Sequence, residues 1–241
     1  MNENTVSNDP NLAILIPIVN ALGELCESIV FVGGCVTGLL LTEKRSQSIR
    51  VTMDVDVIAH VISTADYHAI GKTLQSKGFK PDLSPDAPIC RWTWNGVALD
   101  LMPSEQGILG FHNRWYPLAL KTATPMQLPG NIAIRIISAP VFVATKLEAF
   151  HGRGNRDYLA SHDLDIITVI SGRKELIDEI QISDVLLQNY LADELKQLLG
   201  DSNFVMSLPG HLPGDVASQA RLTPLLQRMQ EIAQKNYGRS V

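Results

Sequence analysis

The sequence predicts an α+β fold, a mixed sheet flanked by helices and followed by a helical C-terminal region. Three observations carry that expectation. Short β-branched runs recur through the first 138 residues and are separated by turn residues, the pattern of strands in one sheet. Two longer stretches, 12–26 and 64–77, place apolar residues at helical spacing among them. After Pro140 the chain reads as helices broken at Gly172, Gly200 and residues 209–213. The expected division is a core over residues 1–138 and a helical domain over residues 139–241 that completes its cleft.

Taken in order, residues 1–11 are polar and expected to be loose. Residues 12–26 form a helix with a nearly all-apolar face, and 28–32 a short buried strand. A short helix over 35–42 and a polar loop over 43–48 lead to a valine-rich strand over 50–60. The helix over 64–77 stops at Gly78, and residues 81–88 are rich in turn formers. Strands over 89–94 and 97–102 flank Asn95-Gly96, a pair that tolerates positive φ and so signals a two-residue hairpin. Residues 118–126 and 132–137 are further strand candidates.

A chain of 241 residues with 45% hydrophobic and 19% charged residues can bury a core and is not a disordered protein. No basic segment precedes an apolar run near the start, and every apolar stretch is too short to span a bilayer. Cys26, Cys35 and Cys90 are scattered, which argues against a disulfide framework and a zinc site and suits a reduced, cytoplasmic protein. The net charge of −5 argues against a generally basic surface. Lys44, Arg45 and Arg50 leave room for a local basic patch.

The chemistry concentrates at Phe31-Val-Gly-Gly-Cys-Val-Thr-Gly38 and Asp54-Val-Asp56. A glycine pair ending a strand lets backbone approach a phosphate, and a following helix would aim N–H groups at that anion. Alternation along a strand puts Asp54 and Asp56 on one face and Met53, Val55 and Val57 on the other. Neighbouring carboxylates repel unless a cation joins them, and hard divalent ions prefer such oxygen donors. The Asn95-Gly96 turn returns Asp100 alongside the sheet, where it could complete a three-carboxylate site or remain an ordinary exposed aspartate. Thr37 and Thr52 could bond a phosphate or satisfy local backbone.

A second constellation follows Pro140. Lys146 sits in a mostly apolar helix, where it could snorkel to the surface or neutralise a triphosphate. Ser161 is placed to cap a helix, with Asp163 and Asp165 in its first turn. Arg153, Arg156 and Asp157 lie in a glycine-bearing loop suited to contacting substrate.

These residues resemble the pattern of the polymerase-β-like nucleotidyltransferase superfamily: a glycine pair, Asp-x-Asp on the next strand and a third carboxylate on a later one. Within it, Arg50-Val-Thr-Met-Asp-Val-Asp56, Lys146 and Ser161-His-Asp163 are similar to the AbiEii-type toxins. The likeness spans residues 28–172 and implies a nucleotidyltransferase-type sheet. It implies Mg²⁺, with Mn²⁺ as a substitute, on Asp54, Asp56 and Asp100, and a nucleoside triphosphate as donor. Asp54, Asp56, Asp100 and Lys146 form the expected catalytic set. Gly33, Gly34, Thr37, Arg50, Thr52, Lys146 and Asp163 form the expected nucleotide-binding set. The implied acceptor is an RNA 3′ end, such as that of tRNA, or a protein hydroxyl, in a toxin–antitoxin setting with an antitoxin partner. Two other readings stand beside it. One is a small-molecule, antibiotic-type adenylyltransferase with an acceptor pocket lined by Trp92, Trp94 and Trp115. The other is a non-catalytic nucleotide-binding partner protein.

Overall fold

The computed structural model describes residues 9–43, 49–153, 157–159, 161 and 165–234. The chain forms a mixed α/β structure whose α+β layout follows the sequence pattern, and it divides into two compact units. The first comprises Met1–Leu39 and Arg50–Ser138; the second comprises Leu40–Ile49 and Ala139–Val241. Among the described residues no helix is long and apolar enough to cross a membrane.

The first unit is built on a seven-stranded sheet: β1 (Ile29–Val32), β2 (Asp54–Ala59), β3 (Lys80–Pro81), β4 (Arg91–Trp94), β5 (Val97–Pro103), β6 (Thr124–Leu128) and β7 (Ile132–Ile136). Its order is β3-β4-β5-β2-β1-β7-β6. The β2–β5 and β1–β7 pairs are parallel and the others antiparallel, so the sheet is mixed. All four residues of β1 are buried, as a central strand between two neighbours requires. Helices α1 (Leu12–Leu22), α2 (Thr64–Ser76) and α3 (Tyr116–Thr122) accompany the sheet. The α1 residues Leu15, Ile18 and Leu22 are fully buried with Phe31, Ile58, Leu99 and Leu101 of the strands. Each such side chain contributes about 1.5–3 kcal/mol of hydrophobic stabilisation. Ser63 caps α2 by accepting from the Asp66 amide. Gly71 of α2 lies so close to Trp92 that a Cβ there would come within 3.2 Å of the indole, and Trp94 packs on Phe79. Strand alternation therefore turns Trp92 and Trp94 toward the α2 side of the sheet, away from Arg91.

Four local expectations change. Residues 12–26 split into α1 and a 3₁₀ turn, Gly23–Glu27, because Gly23 takes positive φ. The segment after the glycines is likewise a 3₁₀ helix, Gly34–Leu40. Residues 118–122, expected as strand, belong to α3, where Pro117 sits in the first turn with its missing N–H harmless, ahead of the helix formers Leu118 to Lys121. Finally, β2 begins at Asp54 instead of residue 50, and Met53 is 82% exposed instead of packing with Val55 and Val57.

The second unit is helical: α4 (Ala139–Arg153), α5 (Ile166–Gly172), α6 (Leu176–Gln181), α7 (Val185–Gly200), α8 (Ser202–Ser207), α9 (Val216–Gln219) and α10 (Leu222–Gln234). Its core includes Phe142 of α4, Leu191 and Leu195 of α7, Phe204 of α8, and Met229 of α10. Residues 40–43 join it because Thr42 and Glu43 donate backbone N–H groups to the Gly172 carbonyl, at 3.0 and 2.8 Å. Arg228 donates to the carbonyls of Ile170 and Arg173, satisfying groups that the end of α5 leaves open.

Cys26, Cys35 and Cys90 are all buried as free thiols. Burial pushes Cys26 up to about 11 and Cys90 up to about 12, with the Asp100 charge adding to the latter. Only the thiolate is nucleophilic. A disulfide reagent at pH 8 is therefore expected to label none of the three rapidly in the native protein and all three in denaturant. Rapid native labelling would contradict the burial.

Candidate active site

Sheet register brings the acidic residues together. On the parallel β2–β5 pair Asp56 stands beside Asp100, and Asp54 lies two residues earlier on the same face of β2. One carboxylate oxygen from each of Asp54, Asp56 and Asp100 lies within 4.8 Å of the others. Asp100 is 7% exposed, whereas Asp54 and Asp56 are half-buried. Two like charges about 4 Å apart repel by about 4 kcal/mol at an effective dielectric of 20, so balancing the cluster calls for positive charge, from the chain itself or from an ion. Three clustered anionic oxygens suit a hard divalent ion such as Mg²⁺ or Mn²⁺ and would suit a soft one poorly. The donor set fits a divalent cation.

Part of that requirement is met from within the chain. The two-residue Asn95-Gly96 turn, with φ of 47° and 82°, fixes the β4–β5 register and sets Arg91 directly opposite Asp100. Arg91 grips Asp100 with a fork: Nε donates to Oδ1 at 2.8 Å and Nη2 to Oδ2 at 2.7 Å. The same Nη2 donates to Asp54 Oδ2 at 2.9 Å. The Asp100 hydrogen bonds, reinforced by the charges of Asp100 and Asp54, outweigh burial and hold the guanidinium proton more firmly than usual. Arg91 did not figure among the expected site residues. The turn carried the signal, since a two-residue hairpin that pairs 94 with 97 must pair 91 with 100.

The glycine pair serves this cluster more directly than the sequence suggests. Val32 pairs with Asp56, so the chain leaves β1 level with that carboxylate. Gly33 adopts φ of +69°, and a Cβ there would fall 1.8 Å from Asp56 Oδ2. The missing side chain is thus the space that the carboxylate occupies. Gly34 faces Thr52, whose Cβ would lie 3.1 Å from an added Cβ. Thr52 Oγ1 donates to Asp54 Oδ1 at 2.7 Å, which orients that carboxylate.

Asn11 ties these pieces together, so the end of the segment expected to be loose is held in place; residues 1–8 lie outside the described residues. Asn11 is 1% exposed; its amide side chain donates to the Arg50 carbonyl at 3.0 Å and the Gly34 carbonyl at 3.3 Å. Its Oδ1 accepts from the Thr52 backbone N–H at 3.0 Å. The side chain thereby takes backbone groups of residues 50 and 52 that a neighbouring strand would otherwise pair, which accounts for the late start of β2. Arg50 is exposed on this segment, and Thr37 is buried.

Lys146 and Asp165 belong to the second unit. Lys146 does not snorkel: it is 9% exposed, with Nζ 3.4 Å from Asp165 Oδ2 and 5.8 Å from the centre of the Phe142 ring. Asp165 directly precedes α5 and spends its carboxylate on Lys146 instead of capping the helix. Ser161 lies outside α5, and its amide donates to the Asp157 carbonyl. Asp163, and with it Lys44, Arg45 and Arg156, lies outside the described residues. The side chain of Arg153 lies outside them too. Trp92, Trp94 and Trp115 do not line a shared acceptor pocket on the carboxylate face. Trp92 and Trp94 turn to the α2 side, and Trp115 is buried with the Arg114 guanidinium over its ring.

Fold and site together define a mixed-sheet protein with a three-carboxylate face able to hold a divalent ion. No protein-family model and no curated protein matches the sequence. Among solved structures, the chain is similar to an antigenic nucleotidyltransferase-like protein from Paracoccidioides brasiliensis, at 18% identity and a TM-score of 0.46, covering 85% of this chain and 94% of that one. It is also similar to a Helicobacter pylori protein described as a candidate nucleotidyltransferase, at 14% identity and a TM-score of 0.46, covering 97% and 96% of the two chains.

Gly33→Ala is expected to lower the melting temperature sharply. Positive φ alone costs a residue with a Cβ about 1–2 kcal/mol, and the overlap with Asp56 adds to it. In an Asp56→Ala background the same substitution should cost measurably less; an equal cost would sever the link between glycine and carboxylate.

Lys146→Ala leaves the Asp165 carboxylate without its cation and is expected to destabilise by about 3–5 kcal/mol, the range for breaking a buried pair. Adding Asp165→Asn should recover part of the loss. Thermal denaturation of the two single variants and the double variant measures the coupling, and strict additivity would show that the pair is not coupled.

Proposed function

We propose that this chain is a Mg²⁺-dependent nucleotidyltransferase that moves a nucleoside monophosphate from a nucleoside triphosphate to an acceptor hydroxyl. The observation that carries the reading is the convergence of Asp54, Asp56 and Asp100 on one sheet face beside the Gly33–Gly34 turn. Asp54, Asp56 and Asp100 would hold the ion, which when bound neutralises phosphate charge and acidifies the acceptor hydroxyl. Thr52 keeps Asp54 oriented, and Asn11 keeps the glycine turn against residues 50–52. In the proposed reaction the acceptor oxygen bonds to the α-phosphorus as the bond to the bridging oxygen breaks and pyrophosphate leaves. Asp100 would complete the metal site and help activate the acceptor hydroxyl, whose proton leaves to solvent. Gly33, Gly34, Thr37, Arg50 and Thr52 are proposed as nucleotide contacts; Lys146 is proposed to steady the phosphates, and Asp163 stands in the nucleotide-binding set by resemblance alone.

The likeness of Arg50–Asp56 to AbiEii-type toxins supports an RNA 3′ end or a protein hydroxyl as acceptor, with an antitoxin as partner. The small-molecule reading loses its stated basis, since two of the three tryptophans turn away from the carboxylates.

Labelled nucleoside triphosphates, Mg²⁺ and whole-cell RNA or protein should yield a labelled acceptor. Asp54→Asn and Asp56→Asn should each reduce labelling by about 10²-fold or more, the scale of a lost electrostatic contribution. Nucleoside triphosphate with Mg²⁺ or Mn²⁺ should raise the melting temperature of the parent, and much less so with EDTA. A ligand bound only by the folded state at a hundredfold excess over Kd stabilises by about 2.7 kcal/mol. The double variant should show no metal-dependent shift; a shift equal to the parent's would place nucleotide binding elsewhere.

A further inference from the structure

We infer that Arg91 is an internal counter-cation that competes with divalent metal for Asp54 and Asp100, holding the carboxylates together without metal and weakening metal binding. The inference rests on the reading of the triad as a metal site. Its basis is the position of the guanidinium. Both oxygens of Asp100 accept from Arg91, and Asp54 Oδ2 accepts from the same Nη2 that holds Asp100 Oδ2. Three of the six oxygens that the triad could offer a metal are thus already engaged by Arg91. A guanidinium nitrogen sits at 2.7–2.9 Å from these oxygens. Mg²⁺ needs oxygens at about 2.0–2.1 Å in near-octahedral array, so the two cations cannot share them undisturbed.

Charge sets the direction of the competition. Three carboxylates and one guanidinium leave two negative charges, so the Arg91-bound site still attracts a divalent ion. The ion gains that attraction but loses what it takes to part Arg91 from two carboxylates. Arg91 has somewhere to go, since its side chain is 25% exposed and long enough to reach solvent. A triphosphate offers the released guanidinium a new forked partner.

The test uses the full chain as parent, Arg91→Gln and Arg91→Lys, with free Mn²⁺ followed by electron paramagnetic resonance. Arg91→Gln should bind Mn²⁺ about tenfold or more tightly than the parent, about 1.4 kcal/mol. Its metal-free melting temperature should fall, and Mn²⁺ should raise it by more than in the parent. Arg91→Lys keeps the charge but not the fork, and should bind Mn²⁺ with intermediate affinity. If Arg91→Gln fails to fold, tighter Mn²⁺ binding by Arg91→Lys than by the parent supports the inference, and equal or weaker binding overturns it. If the parent binds Mn²⁺ and neither variant binds it more tightly, Arg91 is no competitor, while the metal-site reading survives. If no protein binds Mn²⁺ at millimolar concentration, the inference and the metal-site reading fall together.

Discussion

Repulsion among like charges is the constraint around which the first unit is arranged. Three carboxylates converge on one sheet face because β2 and β5 are parallel neighbours in a register that pairs Asp56 with Asp100. Left alone, that convergence would oppose folding. The structure answers by placing β4 on the far side of β5 with Arg91 opposite Asp100, where the guanidinium touches two carboxylates at once. Sheet order is therefore an electrostatic arrangement as well as a packing one: cation strand, acid strand, acid strand, then the glycine turn.

The remaining space around the acids is defined by what is missing. Gly33 has no side chain, and the Asp56 carboxylate lies where one would be. The turn cannot drift from β2, because Asn11 bonds to Gly34 on one side and to Arg50 and Thr52 on the other. A single buried carboxamide from ahead of α1 thus fixes the separation between two segments that carry the chemistry. Losing it would leave partly buried backbone groups without these partners, at a cost of up to about 1–3 kcal/mol for a group that water cannot reach.

The legible parts of this protein were those coded by short-range patterns. Asn95-Gly96 announces its hairpin, alternation along residues 54–57 puts both aspartates on one face, and Gly172, Gly200 and Pro209 mark real breaks. The parts that were not legible depend on distant partners. Nothing local to Met53 says that residues 50 and 52 give backbone groups to Asn11, so the sequence pattern starts the strand four residues early. Residues 118–122 carry enough apolar character to pass for strand, and the helix is decided by Pro117 just before them. Asp165 looks like a helix-dipole residue until Lys146, nineteen positions away, is seen to claim its carboxylate. Arg91 is the instructive case, since the hairpin that reveals it had already been recognised and its pairing had only to be counted back.

That hairpin also says what kind of change this chain could tolerate over evolutionary time. Successive residues of β4 face opposite sides of the sheet, Arg91 toward the acids and Trp92 toward Gly71 of α2. Replacing either turn residue by another that accepts positive φ would leave this assignment intact. Inserting one residue while keeping a two-residue turn would slip the pairing and reverse it, sending an indole among the carboxylates and a guanidinium into the apolar layer beneath α2. Descendants of this sequence should therefore vary the identity of the turn far more readily than its length, and a change in loop length here would mark a lineage whose acids are balanced in some other way.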